Sequence, residues 1–485
     1  MALERDVLVV GTGYGGATAA AVLARAGMRV GILERGTWWG AADGHRPLPE
    51  TLPQLLRALE GVNLSTFGRS ARLPLGRRGL FEVHLHGRTL MMNALAVGGT
   101  SLVNGALMQR PARAFFDALP PEVDADALEP GYRFLEETLG VAQGPYDEAR
   151  YRQLATLADD EKWSLARATQ AIHFEDGGPG ANECTRCNRC IVGCNIGAKQ
   201  SLDRTLIPEA VEAGAELRDL CAVETIHPIE DGYEVRFRDA RTRKRQAWRA
   251  RRVVLSAGTL NTLKILFRSR DAADGLRGLS KALGARASLG GDALGFYRVA
   301  DDLVPAQVDG HSSDLLFEVP GRDGDRDFAF GALTAPVMPR SALLRWAQGR
   351  RTLSLVGFGH DAMDGRVDWN GRGVELQHRP QAVVGRTLAA MDRVAKTYGW
   401  GGATRDPARP ARSWMSVHPM GGNGMASDRT AGVVDFRGEV FGHPGLHVAD
   451  ASIFASAPAA GPALSIAALA WWISQRILED AGCAA

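Results

Sequence analysis

The first 34 residues constrain this chain more than any other stretch. Asp6-Val7-Leu8-Val9-Val10 is a short apolar run suited to a buried parallel strand. It leads into Gly11-Thr12-Gly13-Tyr14-Gly15-Gly16, which fits G-x-G-x-x-G. Ala17 to Ala24 comes next, rich in small helix formers, and Gly27 ends that helix. Arg29-Val30-Gly31-Ile32-Leu33 is then a second strand that ends in an acid, Glu34. Each part has a physical job. Gly11 permits a tight turn, Gly13 lets the backbone approach a pyrophosphate, and Gly16 lets helix and strand pack closely; Tyr14 and Gly15 complete the loop. The helix N-terminus offers free N–H groups to phosphate, and Glu34 can accept hydrogen bonds from a ribose diol. The order strand, glycines, helix, strand, acid predicts a dinucleotide-binding βαβ unit. By itself that unit does not separate NAD from FAD.

The rest of the chain is large enough to complete such a domain and add another. At roughly 150 residues per domain, 485 residues make two or three units. A composition of 45% hydrophobic and 23% charged residues supports a packed core and excludes disorder, collagen and coiled coil. Lys and Arg number 57 against 55 Asp and Glu, so no global basic field recruits nucleic acid or an anionic membrane surface. The most apolar run, Ala463 to Ile473, contains Ser465 and is about half a membrane-spanning length. The N-terminus lacks the basic and apolar regions of a secretory signal. The expectation is a cytoplasmic protein with no membrane span and no nucleic-acid partner.

Further along, residues 40 to 90 read as loops plus a short helix, and 111 to 165 as amphipathic helices. Between them, Asn93 to Gly105 carries the pair Gly98-Gly99 with Ser101 and Asn104, which suits a loop laid against a flat or anionic ligand. Arg252 to Thr259 is a strand entering a second glycine turn, and Leu446 to Ser452 is another strand-to-turn. Both return the chain to the nucleotide sheet. Alternation in Leu353 to Phe358 and Val367 to Leu376 predicts an antiparallel sheet on the substrate side. The fold class expected is α/β with an inserted α+β domain: 1–284 mainly cofactor-binding, including a Cys-rich loop at 182–200; 285–415 mainly substrate domain; 416–485 a return to the first.

Four of the six cysteines, Cys184, Cys187, Cys190 and Cys194, fall within eleven residues. Their C-x2-C-x2-C-x3-C spacing is that of a bacterial ferredoxin ligand run, although Asn195 replaces the usual following Pro. They are candidate metal ligands, with a [4Fe–4S] cluster as the cofactor. Reduced structural thiols, disulfides or zinc are the alternatives, although zinc normally uses two separated hairpins. Cys221 and Cys483 read as ordinary residues.

Taken together, four blocks resemble the glucose–methanol–choline (GMC) oxidoreductases, and among them the cholesterol-oxidase-like branch. They are GTGYGG with Glu34, VGGTSLVNG from Val97, VVLSAGTLNTLKIL from Val253, and the tail VHPMGGNGM from Val417 with GVVDFRGEVFGHPGLHVADASIF from Gly432. The resemblance spans nearly the whole chain. It implies FAD in a Rossmann-like domain, a substrate domain on an antiparallel sheet, and oxidation of an alcohol by hydride transfer to flavin. Gly11, Gly13, Tyr14, Gly15, Gly16 and Glu34 would hold the ADP half. Gly98, Gly99, Ser101, Asn104 and Gly105 would lie along the pyrophosphate and isoalloxazine. Val223 would pin the adenine through its backbone, and Ala257 is a further cofactor-binding candidate. Asp450 and Ala451 would sit at the ribityl–pyrophosphate region, and Pro462 is a further cofactor-binding candidate.

The resemblance implies His418, in His418-Pro419-Met420-Gly421-Gly422, as the catalytic histidine that takes the hydroxyl proton. The family's second catalytic position, an Asn or His, is Gly461 here and has no side chain. Glu318, in Ser312-Ser313-Asp314-Leu315-Leu316-Phe317-Glu318, matches a cholesterol-oxidase glutamate. It is a candidate general base in an apolar setting that would raise its pKa. His360 and His86 are weaker candidates, and Trp38, Trp39, Trp414, Trp471 and Trp472 are candidates to line an apolar pocket. The expected activity is oxidation of a small-molecule alcohol, with electrons passing to an acceptor protein, through a cluster, or to O2. The alternatives are a flavoprotein desaturase, reductase or isomerase, or a non-catalytic electron-transfer subunit.

Overall fold

The computed structural model describes residues 5–41, 44–66, 68–76, 78–87, 89–146, 148–174, 182–187, 189–298, 314–321, 323–333, 352–378, 382–404 and 414–483. The N-terminal βαβ unit forms as expected. Strand Arg5–Val10 is followed by helix Tyr14–Arg25 and strand Val30–Leu33. The two strands pair in parallel, Val7 with Val30 and Val10 with Leu33. Arg5–Val10 also pairs in parallel with Arg245–Leu255, and that strand with Leu446–Val448. Glu216–Arg218 extends the other edge beside Val30–Leu33. The sheet therefore draws its parallel strands from four distant parts of the chain. These strands read as continuous apolar runs because both faces are covered; Val7, Leu8, Val9, Val253 and Val254 are wholly buried.

Helix Tyr14–Arg25 packs on the final helix, Ala463–Asp480, which in turn packs on Ala125–Thr138. Both helices are rich in buried alanines, among them Ala17, Ala20 and Ala21 on the first and Ala467, Ala468 and Ala470 on the last. At Gly131 a Cβ would stand 2.8 Å from the Ala468 carbonyl, so only glycine lets those two axes approach so closely. Among the described residues no helix is long and apolar enough to cross a membrane.

A second, antiparallel sheet has the order Gly401–Thr404, Ala293–Arg298, Thr352–Gly359, Arg326–Leu333, Leu315–Pro320, Ser164–Arg167. Helix Ala382–Thr397 covers one face over an aromatic cluster that includes Phe317, Phe330 and Trp163. The opposite face presents Leu316 and Phe358 to Leu107 and Ala168. Ser164–Arg167 pairs with Leu315–Pro320, so this sheet takes a strand from upstream of residue 285. Val367–Leu376 alternates as expected but belongs elsewhere. Its strands Gly365–Trp369 and Val374–Gln377 form a hairpin that extends through Ala285–Ser288 to Met420–Gly421.

The clearest departure from expectation lies at 40–90. Leu52–Arg57 is the short helix, closed by a Thr51–Gln54 capping box. Beyond it the chain forms strands instead of loops: Leu59–Thr66, Arg69–Pro74, Phe81–His86 and Thr89–Ala94, joined by Trp414–Ser416 into a third sheet. Arg69–Pro74 is almost wholly exposed, so it lacks the alternation that marks a half-buried strand.

Candidate active site

The glycines of the first turn have different reasons to be glycine. At Gly11 (φ +98°) a Cβ would fall 2.2 Å from the Ser256 carbonyl oxygen; at Gly15 it would fall 1.6 Å from that of Ala449, and at Gly16 2.0 Å from that of Gly11. Internal packing fixes all three. Gly13 has an ordinary φ of −70° and a Cβ there would meet nothing within 4 Å. Neither backbone strain nor packing requires it; its bare Cα borders an open cradle at the helix N-terminus. Helix Tyr14–Arg25 also has no side-chain cap, so its first N–H groups remain available to an anion. These features fit the diphosphate of a dinucleotide.

Glu34 is buried, and its carboxylate accepts from the Thr12 N–H (3.0 Å), the Thr12 hydroxyl (2.7 Å) and the Gly36 N–H (2.6 Å). Burial raises its pKa, opposed by these bonds. In sequence Thr12 reads as a spacer, yet its side chain ties three segments together, because its oxygen also accepts from the Gly98 N–H at 3.0 Å. The loop of Gly98 and Gly99 consequently lies on the first turn. Both glycines have positive φ, +90° and +58°, and a Cβ on Gly99 would stand 2.8 Å from the Gly13 Cα.

Ser101 turns inward: its hydroxyl donates to the Gly98 carbonyl and accepts from the Leu202 N–H. It shapes the loop and has no free side-chain role in the cradle. The Asn104 amide donates to the Tyr14 hydroxyl at 2.8 Å, and its oxygen accepts from the Ala106 N–H. Gly105 is held by Gln170 through its carbonyl. Asp450 is buried and internally committed, accepting from the Gly258 N–H, the Thr262 hydroxyl and the Ser452 N–H. Its pKa is raised by burial. Through it the turn after Ala257 is locked to the turn containing Ala451. Val223 lies in strand Cys221–Ile229 next to a register shift, and Pro462 immediately precedes the last helix.

His418 is half-buried, with its ring edge-on to Phe358 at a centroid separation of 5.4 Å. Its Nδ1 lies 2.8 Å from Asp292 Oδ1. The other Asp292 oxygen accepts from the Ser416 hydroxyl (2.8 Å) and the Val417 N–H (3.0 Å). A carboxylate so held selects the imidazole tautomer with a proton on Nδ1 and leaves Nε2 as an acceptor. Asp292 is the partner of His418 that the sequence did not reveal. It follows Gly290-Gly291 at the mouth of a strand, 126 positions before its partner.

Glu318 shares a sheet face with this group. Glu318 pairs with Ala329, and Ala329 with Phe358, so the three lie in one cross-strand row. Its setting differs from the apolar one expected: the carboxylate is held by Arg326 Nη1 at 2.6 Å and is partly exposed. The Arg that neutralises it arrives from the neighbouring strand, which spacing in sequence does not disclose. Ser312 and Ser313 of the same segment lie outside the described residues. At Gly461 a Cβ would meet nothing within 4 Å, so the position is open space.

Other candidates sort by their contacts. His86 is buried and its Nδ1 accepts from the Leu376 N–H, while burial holds its pKa down to about 3. His360 donates its backbone N–H to the Asp327 carbonyl, beside the same sheet. Trp39 is buried in a small cluster with Leu48 and Phe81. Trp38 stacks on His45, and Trp472 donates to the Phe436 carbonyl from the last helix, where Trp471 also packs. These four serve packing. Trp414 begins the strand Trp414–Ser416.

Cys184, Cys187, Cys190 and Cys194 are free thiols around one cavity of about 20 Å³. Burial raises the Cys184 thiol to about 11. Among the described residues no group of three or more His, Cys, Asp or Glu is gathered so as to hold a metal ion. Beside the cavity, the buried Lys199 ammonium donates to the carbonyls of Leu102 (2.6 Å), Asn104 (3.0 Å) and Cys190 (2.8 Å). That one side chain joins the cysteine loop to the glycine loop at 98–105.

Comparison with known proteins places this geometry in context. The N-terminal model of the GMC oxidoreductase family matches residues 6–274 and its C-terminal model residues 359–470. A cholesterol oxidase of Mycobacterium tuberculosis is 26% identical, covering 96% of this chain and 90% of that protein. A cholesterol oxidase of Acinetobacter baumannii is also 26% identical, covering 96% and 93%. A long-chain-alcohol oxidase of Arabidopsis thaliana is 22% identical, covering 98% of this chain and 67% of its own. Among solved structures, a formate oxidase of Aspergillus oryzae superposes over 98% of both chains with a TM-score of 0.70 at 15% identity.

Proposed function

This chain is a member of the GMC oxidoreductase family, an FAD-dependent oxidoreductase, and from that premise we propose that it oxidises the CH–OH group of a small-molecule alcohol with His418 as the proton acceptor. When bound, FAD supplies the hydride acceptor. The protein supplies the rest. Gly13 and the uncapped helix behind it would receive the diphosphate and Glu34 would meet the ribose, while Gly98 and Gly99 lie on the first turn. Tyr14 and Asn104 are locked to each other and line the far end of the loop.

The observation that carries the reading is the Asp292–His418 hydrogen bond. With Nδ1–H donated to Asp292, Nε2 is free to accept the substrate hydroxyl proton as the carbon loses hydride. The imidazolium so formed is stabilised by a carboxylate already in contact. Gly461 contributes no polar hand, so the substrate oxygen depends on His418 and on groups of its own. The sheet face bearing Leu316 and Phe358 is packed against Leu107 and Ala168, so it forms buried support beside His418 and not an open substrate surface. Glu318, paired to Arg326, is better placed to fix that face than to act as a free base.

The cysteine quartet does not fit a cluster. Its cavity has room for about one water molecule, and among the described residues no group of three or more such side chains is gathered around a common point. Electrons would then leave to O2 or to an acceptor protein without passing through the cysteine loop.

The test is anaerobic reduction. Protein carrying FAD is mixed with a panel of primary and secondary alcohols of increasing apolar size, and bleaching of the oxidised flavin band is followed. At least one alcohol should bleach it, and His418→Asn should retain FAD while slowing bleaching by about 10² or more. If no alcohol reduces the flavin, or if His418→Asn bleaches at the wild-type rate, the reading fails.

A further inference from the structure

A cavity of about 250 Å³ lies between the third sheet and helix Thr259–Asp271. None of the residues assigned to the FAD cradle lines it. Lys264, Arg72 and Arg372 do, together with the amides of Asn63 and Asn261. Among the described residues Lys264 has no hydrogen-bond or ion-pair partner, although it sits within the fold and is only partly exposed. The one carboxylate in the lining, Glu82, is already occupied: Arg35 grips it with two hydrogen bonds of 3.2 and 2.7 Å, and His84 Nε2 lies 3.3 Å away. Arg72 approaches Glu60 and Glu82 only at 3.6 Å, which leaves its donors uncommitted to a close bond. Arg372 is exposed at the rim.

The balance is three cations against one neutralised carboxylate, with two side-chain amides as further donors. A partly desolvated ammonium without a partner is costly, and here it is placed where an anion would complete it. We propose that this cavity is a binding site for a small dianion of the phosphate or dicarboxylate class, separate from the flavin cradle. Lys264 supplies the inner charge and Arg72 and Arg372 close over the outer side. Because Arg35 directly follows Glu34 and holds Glu82, the site adjoins the ribose end of the cradle without sharing its residues.

The test uses FAD-loaded protein and three sodium salts at matched ionic strength: phosphate, malonate and chloride. Thermal unfolding and titration calorimetry read binding, and flavin absorbance per chain reads cofactor content. Phosphate or malonate, whichever is the preferred source of the dianion, should raise the unfolding temperature saturably, with FAD content unchanged. Lys264→Met should weaken that binding about tenfold or more. Arg372→Ala, at an exposed position that bears no packing, should weaken it severalfold and guards against a folding defect in the lysine variant. The proposal is overturned if neither dianion exceeds chloride, or if binding is the same in both variants. Release of FAD by either anion overturns it as well, because the cavity would then be part of the cofactor site.

Discussion

Asp292 grips His418 with one carboxylate oxygen and the backbone of the same segment with the other, so that ring and strand move as a unit. In the proposed reaction Asp292 is a positioning residue. Asp292→Asn keeps the shape but removes the charge that stabilises a protonated ring, and it favours the opposite tautomer. Flavin reduction by alcohol should slow by about 10² to 10³ with little change in KM. Because the protonated ring loses its neighbouring charge, the pH dependence of the rate should also move toward lower pH in the variant. Rapid-mixing measurements of flavin bleaching across pH decide this; an unchanged rate and profile would make Asp292 merely structural.

Glu34 offers a test of the cradle. Glu34→Ala leaves the Thr12 and Gly36 N–H groups without their acceptor, at about 1–3 kcal/mol each, and removes the carboxylate proposed to meet the ribose. The purified variant should carry less than a tenth of the wild-type flavin. Its unfolding midpoint should fall even when excess FAD is supplied. Absorbance ratios and a denaturant titration measure both.

Gly99 and Gly461 are expected to behave oppositely. Alanine at Gly99 meets the Gly13 Cα at 2.8 Å and must keep a φ of +58°, so Gly99→Ala should lose FAD and several degrees of thermal stability. Gly461→Ala adds a methyl group to open space at a position without positive φ. It should keep FAD and change stability by no more than about 0.5 kcal/mol. Thermal unfolding with and without added FAD distinguishes the two.

These positions also show how far residue order alone reaches. The first turn is legible in sequence because its parts are contiguous and each glycine or acid has a local geometric duty. The partners of His418 and Glu318 are not, because Asp292 and Arg326 arrive by strand pairing across other parts of the chain. Within residues 40–90, Arg69–Pro74 faces solvent, and a strand without a buried side has no period to detect, whereas Phe81–His86 does alternate and its strand is legible in sequence. Ser101 looks like a ligand because the loop around it is glycine-rich. In the fold its hydroxyl is spent on Gly98 and Leu202.

Acid should destabilise the fold through His447. This residue is almost wholly buried in the strand Leu446–Val448, with its Nδ1–H on the Arg437 carbonyl. Burial holds its pKa down to about 4, with Arg252 and Arg437 also opposing protonation and Asp480 favouring it. The unfolded histidine takes up a proton near pH 6.5 and the folded one does not until about 4. Stability is therefore full above 6.5 and is lost as pH falls through that window, by on the order of 3 kcal/mol from this residue. His86, depressed in the same direction, adds to the wild-type slope. His447→Gln retains a donor for Arg437 but does not titrate. Urea midpoints at pH 7 and pH 5 should converge in the variant relative to wild type. An equal acid loss in both proteins would remove His447 from the account.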